Sequence, residues 1–413
     1  MVVHFDDPDP LYPLPPLNEI PDDDADKPND TYKLVTHMLD ISALVLTLDY
    51  QTTTSNGFPA VIFGTATFSR IYNDAHHISG VTPLRAARLA LRYGMNVFDT
   101  APFYGDSEII LGNALRALRR EFPRDSYTLV TKVGRYPTEF DYAPEAIESS
   151  IARSLRRLHT SYFDIVYLHD VEFIADEKLA RRGGNHVDAL GEEREQYGLD
   201  ESQEGEAYTE KDHKVLSAVK KLFELRDERG VIKRVGISGF PLPTLLRIAI
   251  LIQKRLGKPV DLVMSYCHLT LQNSTLEQFK SAFGARAGVK QVIAASPIAM
   301  ALLRPSRSLD WHPAPLEVRE AAQRAAQLSQ EWDAPETGLP DLALQYTFAR
   351  AREIGVPVAV GLSTLEEVHA SVKAWHEVDA EGFTTKEEWV ARVKTVQDLF
   401  RDVQMLDYSW ATP

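Results

Sequence analysis

Four residues have the types and the spacing to do chemistry together. Asp99 closes the apolar run "NVFDT" (96–100), and Tyr104 follows in "VFDTAPFYG". Lys132 ends "YTLVTK" (127–132) and His169 ends "FDIVYLH" (163–169). A phenol with its ordinary pKa of about 10 is a poor proton acceptor near neutrality. An adjacent ammonium stabilises phenolate, and bringing the phenol to neutrality takes about 4 kcal/mol of differential stabilisation. A buried lysine without a partner tends to lose its proton, so a carboxylate beside it preserves the charge. An imidazole can orient the oxygen that gains or loses the proton. On this reading Asp99 holds Lys132, Lys132 lowers the pKa of Tyr104, Tyr104 exchanges the proton and His169 positions the substrate oxygen. The set contains no nucleophile and needs no metal. Its complement is a hydride carrier.

Such a set needs elements that end at one place. Short apolar runs recur at 60–65, 96–100, 127–132, 163–169, 232–238, 260–266, 291–297 and 357–363. They are nearly continuous in apolar character, as strands buried on both faces are. Helical patterns lie between them: "TPLRAARLALRYG" (82–94) ends on a glycine, and "APEAIESSIARSLRRLH" (143–159) carries proline early and basic residues late, as helix ends favour. "EVREAAQRAAQLSQEW" and "EEWVARVKTVQDLFRDV" read the same way. The alternation predicts an α/β fold of repeated β-α units, a (β/α)8 TIM barrel, whose functional groups gather at the C-terminal ends of the strands. Asp99, Lys132 and His169 stand at the ends of three successive strands, so they converge on one mouth. A doubly wound open sheet is the rival, but no G-x-G-x-x-G opens a helix after a strand.

The chain divides into an acidic, proline-containing N-terminal extension, 1–57, read as extended or disordered, and a barrel, 58–413. Within the barrel, residues 173–214 are charged and poor in aliphatics. They predict a long surface loop after strand 4, either a lid or an insertion without catalytic role. A net charge of −14 across 413 residues argues against a broad nucleic-acid surface, although backbone amides can still bind a local phosphate. A single cysteine, Cys267, excludes internal disulfides and fits a reducing compartment. The first residues carry no secretory pattern, and "ISALVLTL" is too short to span a bilayer. A cytoplasmic protein without membrane or nucleic-acid partners is therefore expected, its oligomeric state unassigned. "DAHH" (74–77) has the look of a metal cluster but lacks spaced partner ligands, so no metal is assigned. His268 and His312 border the sites of interest without an assigned role.

The same residues resemble the aldo-keto reductase superfamily. "GMNVFDTAPFYGDSEIILGNAL" (94–115), "LVTKVG" (129–134) and "DIVYLHD" (164–170) are similar to its signature, lysine and histidine segments. The resemblance implies the catalytic tetrad Asp99, Tyr104, Lys132 and His169. "VGISGFPL", "MSYCHLTLQNSTL", "ASPIAMALL" and "WHPAP" resemble the sugar 1-dehydrogenase branch, which includes D-arabinose 1-dehydrogenase and L-galactose dehydrogenase. That branch implies oxidation of an aldose of D-arabinose, L-galactose or L-fucose type at C1, toward ascorbate or erythroascorbate. Phe103 and Trp311 are then candidates for an apolar wall beside the sugar, with His169 on its oxygen.

The coenzyme contacts implied by the resemblance are Ser238, Ser296, Leu303, Leu362, Ser363, Glu366 and Glu367. Two positions depart from the superfamily. Gly239 stands where an asparagine side chain is usual, and Ala295 where an aromatic ring stacks on the nicotinamide. In the last strand NADP-preferring members carry basic residues, whereas here Leu362, Glu366 and Glu367 occupy that stretch. A carboxylate about 5 Å from a phosphate charge costs about 1–3 kcal/mol and can accept bonds from ribose hydroxyls. NAD is therefore expected over NADP, unless the glutamates serve only to start a helix. An NADPH-dependent carbonyl reductase and a redox-sensing binding module on the same barrel are the alternatives.

Overall fold

Eight parallel strands close into a barrel in sequence order, β1 (Val61–Gly64), β2 (Val97–Asp99), β3 (Thr128–Val133), β4 (Phe163–Leu168), β5 (Ile232–Gly239), β6 (Leu262–Tyr266), β7 (Gln291–Ala295) and β8 (Val358–Gly361), with β1 pairing β8. The computed structural model describes residues 9–29, 58–305, 310–332 and 338–410. The expected fold is the observed one; six of the apolar runs named from the sequence contain their strands, and β3 and β5 each extend one residue beyond theirs. Around the barrel run α1 (Ala75–Ser79), α2 (Thr82–Tyr93), α3 (Ser107–Ala117), α4 (Pro144–Arg157), α5 (Glu210–Asp227), α6 (Leu242–Leu256), α7 (Leu276–Ala287), α8 (Leu316–Ser329), α9 (Gly338–Ile354), α10 (Leu365–Asp379) and α11 (Glu387–Asp402). Among the described residues no helix is long and apolar enough to cross a membrane.

The barrel interior is filled by side chains from alternate strand positions. Ile62, Val97, Val130, Ile165, Tyr167, Leu262, Met264, Ile293 and Ala359 form one buried cluster, as the two-residue pleat requires. The outer faces of the strands pack against the helices in a second, larger core. The helices come close where side chains vanish: a Cβ on Gly112 of α3 would lie 2.0 Å from the Arg157 carbonyl oxygen of α4.

The acid-rich extension has a structural use. Arg85, Arg88 and Arg92 form one stripe of α2, at spacings that bring side chains to the same face. The arm meets that stripe through Asp26 on Arg85 at 2.6 Å, and Asp22 on Arg92 at 2.6 Å and on Arg88 at 3.5 Å. Further along, Asp9 bonds Arg157 at 2.7 Å, and the Tyr12 hydroxyl donates to Asp106, two residues beyond Tyr104. The arm, over 9–29, is thus docked on the barrel; residues 1–8 and 30–57 lie outside the described residues. Burial works to raise the Asp26 carboxyl, and the bonds and charge of Arg85 more than offset it, leaving it below the ordinary carboxylate range. Arg85→Ala is expected to lower the unfolding free energy by about 1–3 kcal/mol, read as a lower urea midpoint at unchanged m-value. An unchanged midpoint would mean that the arm does not dock.

The 173–214 segment is folded more firmly than a surface loop. Ala175, Ala189, Tyr197 and Leu199 are buried in the outer core. Asp212 makes a buried pair with Arg247 of α6 at 2.8 Å, and residues 210–214 are the first turns of α5. The backbones of Gly184 and Ser409 exchange two hydrogen bonds of 2.9 Å, clasping the segment to residues 407–410.

Candidate active site

Pleat parity builds the site floor. Two residues beyond the inward-facing plug, the next inward layer at the C-terminal end consists of Gly64, Asp99, Lys132, His169, Ser238, Tyr266, Ala295 and Gly361. The layer is lopsided. From β2 through β6 it carries polar or aromatic groups; from β7 through β8 to β1 it carries alanine and glycine. Register fixes the polar half: Asp99 pairs Val130, Lys132 pairs Tyr167, and the His169 amide continues the ladder to the Val133 carbonyl at 2.9 Å. Tyr104 enters on a short turn, Pro102–Tyr104, after β2. Ser107 anchors that turn by donating to the Thr65 carbonyl at 2.8 Å.

The structure brings the four chemical residues together. Lys132 Nζ donates to Asp99 Oδ1 at 2.5 Å and to the Thr100 carbonyl at 3.1 Å, with both side chains nearly solvent-free. The same nitrogen stands 4.7 Å from the centre of the Tyr104 ring, whose centroid is 5.7 Å from that of His169. Burial opposes the charge on Lys132, but Asp99 and Tyr104 outweigh it and hold the ammonium above its usual pKa. Burial likewise pushes Asp99 up, against the pull of Lys132; the 2.5 Å contact marks the two as an ion pair. His169 is pushed well below its usual pKa by burial and by the charges of Lys132 and Arg135. It is therefore neutral across physiological pH, with one buried nitrogen, Nδ1, lacking a partner.

One expectation changes. Tyr104 lies above, not below, the ordinary tyrosine pKa. Burial is the largest influence, Lys132 pulls down, and the carboxylates of Asp99 and Asp170 push up. The ammonium offsets the desolvation of the phenolate without overcoming it, so the resting site presents a neutral phenol.

The residues expected at a coenzyme are placed unequally. Ser238 has a buried hydroxyl without a partner at the end of β5. Ser296 begins a loop in which it and Ala299, Met300 and Ala301 all adopt left-handed backbone, a strained run of the kind found around ligands. His312 pins that loop, bonding the Ala299 carbonyl at 2.9 Å. Leu303 and Leu362 are buried in the cores, so neither side chain lines a groove. Glu367 caps α10, accepting from the amides of Ser363 at 2.6 Å and Thr364 at 3.1 Å and from the Ser363 hydroxyl at 2.9 Å. Its carboxylate thus closes a capping box just ahead of that helix, while Glu366 remains exposed on the first turn. The unpartnered Ser238 hydroxyl, the left-handed loop from Ser296 and the alanine-glycine half of the floor fit a nicotinamide coenzyme.

Phe103 packs 5.9 Å from His169, inside the site, whereas Trp311 stands 39% exposed at the rim against Tyr72. His268 is structural, bonded between Ser265 at 3.0 Å and Ser409 at 2.9 Å. In the "DAHH" stretch Asp74 caps α1 and His77 bonds the Ser363 carbonyl. Sequence reasoning missed Tyr266, Arg135, Asp170 and Glu172. Tyr266 pairs in register with Ala295, so an aromatic face stands one strand from the position that lacks one. Arg135 and Asp170 directly follow the strand ends that bear Lys132 and His169, and that proximity was the available signal. A surface cleft of about 800 Å³ between Arg119, Arg124, Arg156 and Tyr162 lies at the opposite end of the barrel and holds none of these groups.

The profile of the aldo/keto reductase family matches residues 60–390. D-arabinose 1-dehydrogenase of Saccharomyces cerevisiae is 36% identical over 299 residues, which cover 71% of this chain and 77% of that protein. L-galactose dehydrogenase of Arabidopsis thaliana is 31% identical over 325 residues, covering 78% and 86% respectively. Among solved structures, a glycerol dehydrogenase from Gluconobacter oxydans aligns with a TM-score of 0.54 at 18% identity, over 86% of this chain and 94% of its own.

Proposed function

Because the chain belongs to the aldo/keto reductase family, we propose that it oxidises a neutral aldose at C1 to the aldonolactone, with NAD as coenzyme. The nicotinamide, when bound, supplies the hydride acceptor. Tyr104 takes the proton of the anomeric hydroxyl as C1 gives up its hydride, and the neutral His169 holds that oxygen by a hydrogen bond. Lys132 supplies the positive charge that makes phenolate accessible, and Asp99 keeps Lys132 charged and in place. Tyr266 offers an aromatic face to the nicotinamide beside the space left by Ala295. The observation that carries the reading is the Lys132 ammonium, locked by Asp99 at 2.5 Å and set 4.7 Å from the Tyr104 ring. The aldose substrate is supported by the two dehydrogenases that are 36% and 31% identical.

Preference for NAD rests on Glu367 and Glu366. The amides of Ser363 and Thr364, just ahead of α10, already hold a carboxylate, so a 2′-phosphate placed there would meet negative charge. A second reading, carbonyl reduction, is favoured by one observation: the resting Tyr104 is protonated and so is set to act as an acid. NAD reduction measured with D-arabinose, L-galactose, L-fucose and D-glucose, beside fluorescence titrations of both coenzymes, decides between them. We expect turnover with NAD on at least one of the first three sugars and NADP binding at least tenfold weaker. No oxidation of any aldose, with NADPH consumed by aldehydes, would overturn the proposal.

A further inference from the structure

Four buried polar atoms at one side of the mouth have no hydrogen-bond partner: His169 Nδ1, Asp170 Oδ1, Arg135 Nε and Glu172 Oε2. Buried polar groups are nearly always paired, so a concentration of unpaired ones beside a reaction centre marks a ligand's place. Resting on the aldose reading above, we propose that Arg135, Asp170 and Glu172 form the subsite that reads the ring hydroxyls of a neutral polyol substrate away from its reacting carbon.

The group is held rigidly before any ligand arrives. Arg135 pairs with Asp170 through Nη1 and Oδ2. Its guanidinium lies 3.7 Å from the centre of the Phe103 ring and 4.9 and 5.3 Å from those of Phe173 and Phe140, which stack on each other at 4.5 Å. This clamp fixes the planar fork, leaving Nε as an unused donor. Asp170 adopts left-handed backbone, φ 51°, a conformation that L-residues hold only under constraint and that recurs at binding sites. The turn presents Oδ1 without a partner immediately after His169.

Glu172 is placed by a steric condition. Its Oε1 accepts from the Phe240 amide at 2.8 Å, and a Cβ on residue 239 would lie 2.2 Å from Oε2. A side chain at 239 would push the carboxyl out of this position, so Gly239 leaves the room in which Oε2 sits. Burial, reinforced by the neighbouring Asp170, pushes Glu172 well above the ordinary carboxyl range, so a proton on it adds a donor to the set.

The chemistry fits vicinal hydroxyls. Each hydroxyl both donates and accepts; Asp170 Oδ1 accepts, Arg135 Nε donates, and Glu172 Oε2 serves either way. A substrate carrying its own carboxylate would meet Asp170 beside a guanidinium already paired with it, so sugar acids are disfavoured.

The test is calorimetric binding of D-arabinose, L-galactose and their ring-deoxy analogues to the protein saturated with reduced coenzyme, a complex in which oxidation does not proceed. The wild type is expected to bind a hydroxylated sugar about ten- to a hundredfold more tightly than an analogue lacking one contacted hydroxyl. Glu172→Met and Asp170→Asn, each checked for an unchanged circular-dichroism spectrum, are expected to shrink that ratio toward one while coenzyme affinity stays the same. Glu172→Met keeps length and neutrality while removing both oxygens, so it remains informative if Asp170→Asn, by unpairing Arg135, fails to fold. Equal losses for hydroxylated and deoxy sugars, or no discrimination in the wild type, overturn the subsite. Binding with discrimination but no NAD reduction would instead overturn the dehydrogenase reading and leave the subsite standing.

Discussion

Tyr104→Phe is expected to lower kcat for aldose oxidation by about 10²–10⁴-fold, the range over which a positioned proton acceptor contributes, with coenzyme affinity unchanged. The substitution removes one oxygen and leaves the ring, so the contacts of Tyr104 with His169 and Phe103 persist. The wild-type pH profile carries the same argument further. Burial holds the phenol above its ordinary range in spite of Lys132. Oxidation needs the deprotonated form, whose population grows with pH, so the oxidation rate should climb steadily from pH 7 into the alkaline range. The reverse reaction needs the protonated form and should stay flat over that interval. A Phe variant that keeps wild-type turnover, or an oxidation rate that falls as pH rises from 7 to 9, contradicts the role given to Tyr104.

Lys132→Met should reduce stability by about 3–5 kcal/mol, the usual consequence of removing one partner of a buried ion pair. Asp99 is 5% exposed and its Oδ2 already lacks a partner, so the variant strands a carboxylate in a medium that cannot solvate it. The pH dependence has a defined sign. Burial already raises the Asp99 carboxyl, and loss of Lys132 raises it further. A group raised on folding contributes stability that is present below its unfolded value near 4 and lost as pH rises through its folded value. The defect should therefore be largest at neutral pH and relieved by acid. In the wild type the raised Lys132 makes its contribution below about 10.5 and loses it only in stronger alkali. The double variant Asp99→Asn/Lys132→Met should recover most of the lost stability without recovering turnover. Urea denaturation at pH 5 and 7 reads both effects; equal stability of Lys132→Met and wild type at pH 7 would refute the pairing.

The barrel was legible because its strands are apolar on both faces, leaving eight dense runs in the sequence. The tetrad was legible because ionisable residues close three successive runs. Adding pleat parity to the same runs would have found Ser238 and Tyr266, since both stand two residues beyond an inward position of their strands. Other features depend on contacts that no local pattern encodes. Glu172 reaches Gly239 across 67 residues of chain, whereas the turn of Glu367 back onto Thr364 is the capping box that "TLEE" does encode. The packing of 173–214 escaped notice because its buried residues are isolated among charges, without helical or strand period. The direction of the Tyr104 shift followed from how much water the fold removes around the phenol, a quantity that composition does not contain.

The clasp between Gly184 and Ser409 joins positions separated by more than half the sequence. Closing so large a loop carries an entropic cost that only an already assembled scaffold can reduce. On that ground the strands and their helices are expected to gather first, and the segment beginning at Phe173, whose ring lies 4.9 Å from Arg135, to be secured last. The wall around Arg135 is then expected to mature after Asp99, Lys132 and His169 have met.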